Sequence, residues 1–305
     1  MKVYAVVVGY EPNLENLDDL IRILAEKDCH VILADNSEKR PVTQEMLRTP
    51  CTILSLHGNQ GIAKAQNDAI QCALKKGAEC VGFFDQDSRI DGKLLDALLA
   101  GLQRHPGAVV APVSVEADTG QEYPSAVLCE NGMSRDVFCL QEKTDVQVDL
   151  VISSGTFVWS DALQKIGRMD EDFFIDFVDI EWCLRCKKKQ VPIYVVPSAV
   201  MKHKIGNTSC KVGPITISVH SPYRTYYKVR NSFLMRKKGV SFLLLMQQIL
   251  PAVAYNFFLL FDKEKGKEYR KFYFAGLRDG LQNRTGEYHE TRRKICNVQC
   301  MPCLL

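Results

Sequence analysis

Charge of one sign is nearly balanced in this chain. Its 39 Lys and Arg against 36 Asp and Glu leave a net charge of only +3 over 305 residues. That excludes an overall polycationic nucleic-acid binder and leaves room only for local basic patches. Phosphate loops rich in glycine and basic residues are missing after the first apolar run, which argues against a nucleotidyltransferase; neither a Walker nor a dinucleotide-binding fingerprint is present. Met1 to Tyr10 has one lysine and a short β-branched run with no cleavage-site pattern, so it reads as a first strand rather than a signal peptide. The 12 cysteines lack a regular framework. Several, among them Cys72, Cys80 and Cys183, fall inside apolar patterns and read as reduced core thiols of a cytosolic protein. Cys183 and Cys186 have no partner pair at zinc spacing, and Cys296, Cys300 and Cys303 crowd a polar tail, so zinc is not expected. Long hydrophobic runs are scarce as well. Residues 240–261 carry no charge but are broken by Gln247, Gln248, Pro251 and Asn256, and Arg236-Lys237-Lys238 precede them. They read as one or two amphipathic helices, lying on an inner leaflet or serving as a dimer or core-packing surface, rather than as a bilayer span.

What is present is an apolar share of 46%, enough for one large or two small cores. Its first half alternates strand and helix patterns. Strand-like runs at 3–9, 30–34, 52–56, 80–85 and 108–115 are separated by helical faces such as Leu17, Leu20, Ile21 and Leu24, then Ile62, Ala65, Ala69, Ile70 and Ala73, then Leu94, Leu95, Leu98 and Leu102. This rhythm predicts an α/β fold with a parallel sheet and crossover helices. The pattern loosens over 116–149, as an insertion or edge hairpin would, and the end of the chain predicts a short helix at 275–281 before a polar tail.

The run Cys80-Val81-Gly82-Phe83-Phe84-Asp85-Gln86-Asp87-Ser88 is a buried strand that delivers two acids to the carboxyl edge of the sheet. On an extended segment Asp85 and Asp87 share a face, so both can meet one hard cation, Mg²⁺ or Mn²⁺, which in turn bridges a diphosphate; a solvated turn is the plainer alternative. Asp35, closing the second strand before Asn36 and Ser37, suits either a ribose hydroxyl or base N–H, or an ordinary turn. Gly58-Asn59-Gln60-Gly61 opens a helix with backbone N–H groups and has Gln66 and Asn67 one turn inside, for a ligand or for simple capping. At 150–159 a strand broken by small residues, Gly155 among them, would let a sugar or phosphate approach the backbone. Residues 169–185 set acids among aromatics, where partial desolvation makes a carboxylate a better proton acceptor, so a general base is expected there. Arg224 and Arg230 lie among tyrosines on a stretch expected to be helical, suited to bidentate contact with phosphate or to an aromatic-basic face.

Taken together, Asp35-Asn36-Ser37, Gly58 to Asn67 and Phe83 to Ser88 resemble family 2 inverting glycosyltransferases of the A-type fold. Within that family the Asp-Gln-Asp-Ser form is similar to bacterial rhamnosyltransferases that use dTDP-rhamnose to build O-antigen or cell-wall polysaccharide. The resemblance covers roughly residues 1–235. It implies a nucleotide-binding half at 1–115, an acceptor half at 150–235 and a helical region at 236–305. It places Asp35, Asn59 and Gln66 near the nucleoside, Gly61 among the residues that bind the nucleotide-sugar, and Asp85 and Asp87 on metal and diphosphate. His203 falls near the metal or diphosphate, and Arg224 and Arg230 on phosphate. Asp179 stands at the base position, with Glu181 and Asp176 as alternates and Val178 where the family often has Glu; as a helix cap it could serve both roles. The implied activity is metal-assisted, inverting transfer of rhamnose to a glycan or lipid-linked saccharide, in the cytoplasm at the inner membrane face. A homodimer through the carboxyl-terminal helices and no nucleic-acid partner go with it. A UDP-hexose donor and a non-catalytic nucleotide-sugar-binding scaffold are the alternatives.

Overall fold

The computed structural model describes residues 1–203, 208–212, 215–219, 221–247 and 266–289, with side chains up to residue 202 and again from 221. Strands β1 (Val3–Gly9), β2 (Cys29–Asp35), β3 (Thr52–Ser55) and β4 (Cys80–Asp85) run parallel in the order β3-β2-β1-β4. Their crossovers carry α1 (Leu14–Glu26), α2 (Ile62–Lys75) and α3 (Gly92–Arg104). Strand alternation sends Val6, Ile32 and Phe83 to one face, against Ala65, Ala69, Ile70 and Ala73 of α2. Ala5, Val7, Leu33 and Phe84 go to the other, against the leucines of α1 and α3. Two apolar layers therefore clamp the sheet from both sides, which is why these strands read as nearly continuous hydrophobic runs.

The second half extends the same sheet. β10 (Phe157–Trp159) lies antiparallel between β4 and β5 (Val109–Glu116), and β11 (Ile193–His203) pairs parallel with β5. β9 (Val146–Val148) is antiparallel to β11, and β6 (Glu122–Tyr123) to β5. The loose stretch 116–149 thus contributes two sheet strands, and β7 (Ser125–Leu128) with β8 (Ser134–Val137) form a separate hairpin. A second hairpin joins β12 (Thr208–Val212) and β13 (Ile215–Val219). α4 (Ser160–Ile166) stops at Gly167, and α5 (Val178–Lys188) follows.

Several expectations shift. The expected strand at 150–159 is regular only from Phe157, because Gly155 turns at φ 79 and Thr156 N–H closes back on Ser153. β11 continues past Pro197, its register slipping between Val196 and Val200. α6 (Pro222–Lys237) runs through the expected boundary at 235/236. The last described helix, α7 (Gly266–Leu281), has 16 residues rather than the short piece expected at 275–281. It packs on α6 where a Cβ on Gly276 would lie 2.7 Å from Tyr226 O and one on Gly280 2.5 Å from the Phe233 ring. Of the apolar run at 240–261, residues 242–247 are helical and the remainder after 247 lies outside the described residues, as do Cys296, Cys300 and Cys303. No helix among the described residues is long and apolar enough to cross a membrane. The eight cysteines whose side chains are described are free thiols.

Candidate active site

The parallel strands bring their chemistry to one edge. Register pairs Gly9 with Asp35 and Val8 with Asp85, so the ends of β2 and β4 flank the end of β1. A shallow cavity of about 870 Å³ lined by Lys2, Cys29, His30 and Glu79 lies at the opposite, amino ends of the strands. Ligands of open α/β sheets bind at the carboxyl ends, so that cavity is not the candidate site.

Asp85 is half-buried and its backbone is pinned. Its N–H donates to Ser88 Oγ (3.1 Å) and Ser154 Oγ (3.3 Å), two buried hydroxyls that lie 2.7 Å apart. The strand ends at Asp85; Gln86 and Asp87 form a turn, so the shared face of an extended segment does not extend to Asp87, which is exposed. Gln86 ties the turn to β1 by accepting from Tyr10 N–H (2.5 Å) and donating to Tyr10 O (3.1 Å).

Facing this edge is a strained acidic loop. Phe174, Asp176 and Phe177 all sit at positive φ (63, 61 and 66°), a region that costs non-glycine residues of order 1 kcal/mol or more each. The surroundings hold them there. Asn231, fully buried on α6, donates to the carbonyls of Phe173 (3.1 Å), Ile175 (2.8 Å) and Asp176 (2.9 Å). Arg230 beside it donates to Phe173 O (3.0 Å), Arg284 O and Gly286 O (both 3.1 Å) and to Asn231 Oδ1, with its guanidinium over the Tyr226 and Tyr227 rings. The expectation that Arg230 grips phosphate is therefore corrected: at 0% exposure it braces the loop.

Asp179 follows in the first turn of α5. It is not the cap, which is Phe177; its Oδ1 accepts from Ile180 N–H at 2.9 Å. Burial pushes its carboxyl up to about 6, opposed by that hydrogen bond and reinforced by the negative charges of Asp176 and Asp85. Asp176 is bidentate with Arg224, Oδ1 at 2.5 Å and Oδ2 at 3.2 Å. Burial lowers the Arg224 pKa, but the charge and hydrogen bonds of Asp176, then Asp179 and Asp85, raise it overall. One turn further along α6, burial pulls Lys228 down to about 8, opposed by Asp176 and helped by Arg224. Three carboxylates thus meet two cations at the sheet edge, with one carboxyl poised to accept a proton near neutral pH.

The other expected residues take structural parts. Glu181 is buried and bidentate with Arg185 at 2.8–2.9 Å, which removes it as a base. Asp35 is 1% exposed, and its oxygens accept from Ser37 N–H (3.2 Å) and Val42 N–H (2.8 Å), the turn role. Asn59 Oδ1 accepts from Gly61 N–H at 3.1 Å. The amino terminus of α2 does not offer its first N–H outward, because Ile62 N–H donates to Phe174 O at 2.8 Å. Gly61 (φ 84) admits that contact: a Cβ there would lie 2.7 Å from Phe174 O. Gly155 likewise makes room for protein, since its Cβ would lie 2.7 Å from Pro112 Cγ and 2.9 Å from Met201 Sδ. Gln66 is buried, and its Oε1 is the one buried side-chain oxygen or nitrogen among the described residues without a hydrogen-bond partner. His203 ends β11 opposite Glu116 in register, and its side chain lies outside the described residues. The sequence reading missed Lys228, although its spacing of four from Arg224 puts both on one helical face. It also missed Asn231 and Gln86, whose partners are 55 or more residues away.

A mixed sheet of this order with an acidic, cation-backed carboxyl edge is the A-type glycosyltransferase fold. It resembles the structure of GalNAc-T7 with UDP, GalNAc and Mn²⁺ over 92% of this chain and 56% of that one, at TM-score 0.56 and 12% identity. It resembles S. aureus TarS in complex with UDP-GlcNAc over 93% of this chain and 81% of that one, at TM-score 0.51 and 16% identity. The glycosyl transferase family 2 pattern matches residues 9–149. The dTDP-rhamnosyl transferase RfbF of Shigella flexneri is 36% identical over 286 residues, 93% of this chain and 97% of that protein. The low-salt glycan biosynthesis hexosyltransferase Agl10 of Haloferax volcanii is 23% identical over 92% of each. The chain belongs to glycosyl transferase family 2, and it is a glycosyltransferase.

Proposed function

We propose that the protein transfers a rhamnosyl group from dTDP-rhamnose, with inversion, to a glycan or lipid-linked saccharide in cell-surface polysaccharide synthesis, working in the cytoplasm at the inner membrane face. The observation that carries the chemistry is Asp179, raised to about 6 by burial beside Asp176 and Asp85. In the reaction the acceptor oxygen forms a bond to the anomeric carbon as the bond from that carbon to the diphosphate breaks. The hydroxyl proton passes to Asp179, and the bonding electrons leave on dTDP. Arg224 and Lys228 supply positive charge for the departing diphosphate, and the bidentate Asp176 holds Arg224 in place. The partnerless Gln66 Oε1 suits a nucleobase N–H.

Among the described residues no three His, Cys, Asp or Glu converge to hold a metal by themselves. Asp85, half-buried at the strand end, and Asp87, exposed in the turn after it, are the carboxylates that would hold Mg²⁺ or Mn²⁺, ions that take one or two carboxylates and complete their shell with substrate phosphates. Such an ion would neutralise charge on the leaving diphosphate. The near full-length relation to a dTDP-rhamnosyl transferase favours dTDP-rhamnose over a UDP-hexose. The test supplies each donor with lipid-linked saccharides and reads the sugar transferred and its anomeric configuration by NMR. Inverted rhamnose from dTDP-rhamnose is expected. Turnover of UDP-hexoses alone would replace the donor, and turnover of neither would leave a nucleotide-sugar-binding scaffold.

A further inference from the structure

The chain turns back on itself after α7. Asn283 at φ 57 and Gly286 at φ 72 take the left-handed backbone that suits these residue types, and Arg284 N–H closes on Asp279 O at 2.9 Å. The returning segment, Arg284 to Tyr288, meets the acid loop by two routes. The polar route runs through Arg230, whose Nη1 donates to Arg284 O and Gly286 O and whose Nη2 donates to Phe173 O; Gly286 N–H itself donates to Asp172 O at 2.9 Å. The aromatic route runs through Tyr227. Its hydroxyl accepts from Tyr288 N–H at 2.9 Å, and its ring lies flat on Phe174, with centroids 5.1 Å apart and planes 10° from parallel. The Tyr288 ring sits 4.5 Å from that of Tyr226 on α6 and 5.3 Å from that of Phe272 on α7. Both routes end at Phe173 and Phe174, just before Asp176 and Phe177 at positive φ and Asp179 in the first turn of α5.

We propose that this returning segment is part of the catalytic apparatus, with Gly286 and Tyr288 as positioning residues that hold the acid loop, and through it Asp176 and Asp179, in reactive geometry. The proposal rests on the reading that Asp179 takes the acceptor proton. Left-handed backbone at Phe174, Asp176 and Phe177 persists only while the surroundings over-determine it. Asn231 supplies three bonds to the loop, but the Arg230 bond to Phe173 O depends on the segment as well. Without Arg284 O and Gly286 O, a guanidinium at 0% exposure would keep donors with no acceptor, and it would shift to find water or another carbonyl. The loop would move with it, and a reacting group misplaced by about 1 Å costs about 100-fold in rate. These contacts go to α6, α7 and the acid loop, whereas Asp35, Gln66 and Asp85 stand on β2, α2 and β4. Turnover rather than nucleotide binding should therefore depend on the segment, although it lies far beyond the family pattern, which ends at residue 149.

The test uses the full chain with Gly286→Pro, Tyr288→Ala and Tyr288→Phe. Proline sets φ near about −65° and removes the N–H that Asp172 O accepts; alanine removes the ring, and phenylalanine keeps both the ring and the backbone N–H to Tyr227. Transfer kinetics, dTDP titration and amide hydrogen exchange across residues 172–181 are read for each, with circular dichroism as the check on folding. Gly286→Pro and Tyr288→Ala are expected to lower kcat about 10–100-fold, to leave dTDP affinity within about threefold of wild type, and to speed exchange across the acid loop. Tyr288→Phe is expected to match wild type in all three. Tyr288→Ala, the milder change, carries the test if Gly286→Pro does not fold. Variants with wild-type kcat, kcat and dTDP affinity that fall alike, or loop exchange equal to that of wild type would overturn the proposal. An Asp179→Asn variant as active as wild type would instead sink the assignment of the base, whereas an inactive Asp179→Asn beside fully active Gly286 and Tyr288 variants would sink the positioning role alone.

Discussion

Replacing Asp179 by Asn should make the protein more stable and nearly inactive, and the pH dependence of the stability gain carries the sign of the argument. Asn keeps the shape and the acceptor for Ile180 N–H. It removes a carboxyl raised, mainly by burial, from 3.8 to about 6. About two pH units at about 1.4 kcal/mol each give a ceiling of roughly 3 kcal/mol, and partial solvent access brings the working figure to about 1–3 kcal/mol. Because the folded-state value is raised, this group's share of the stability is full below pH 4 and is lost as pH rises through 6. An amide does not titrate. The variant should therefore match wild type near pH 4 and exceed it by roughly 3–10 °C in melting temperature at pH 8. Turnover should fall by about 10²–10⁴ if this carboxylate takes the acceptor proton. Paired calorimetric scans at both pH values with a transfer assay decide the matter. A variant that is as active as wild type, or whose stability change is the same at both pH values, would refute the reasoning.

Three further outcomes follow from the same contacts. Wild-type kcat/KM should rise with pH through about 6 as Asp179 ionises and fall above about 8 as Lys228 loses its proton; Lys228→Met should lower kcat/KM and erase the alkaline limb, read from a pH–rate profile. Asn231→Ala removes three hydrogen bonds to the acid loop. It should cost about 2–4 kcal/mol by denaturant melts and lower kcat more than nucleotide affinity. Gly61→Ala forces a Cβ to 2.7 Å from Phe174 O at φ 84 and should destabilise by about 2–4 kcal/mol in the same melts.

Periodicity made the sheet legible in the sequence, because strands buried on both faces leave continuous apolar runs and the helices between them must be amphipathic. Asp85 was legible as the polar end of such a run. The acids around Asp179 stood out because carboxylates among Phe and Trp are costly unless used. Arg224 and Arg230 were not separable by sequence: a guanidinium among tyrosines suits a phosphate or a set of carbonyls equally. Only packing shows that Arg230 spends its donors on Phe173, Arg284 and Gly286 while Arg224 meets Asp176. Gly61 and Gly155 carry the same lesson, since space for a ligand and space for Phe174 or Pro112 both demand glycine. Asp87 departed because the extended backbone ends two residues before it, where Gln86 bonds to Tyr10. Each of these turned on partners tens of residues away, which local pattern does not encode.

The site proposed is a metal-assisted dTDP-sugar site at the carboxyl edge of β4. Calorimetric titration with dTDP and with UDP, each with and without Mn²⁺, on wild type and Asp87→Ala tests it most directly. Metal-dependent binding that prefers dTDP and is lost in the variant is the predicted result; equal binding by the variant, or no binding of either nucleotide, would contradict it.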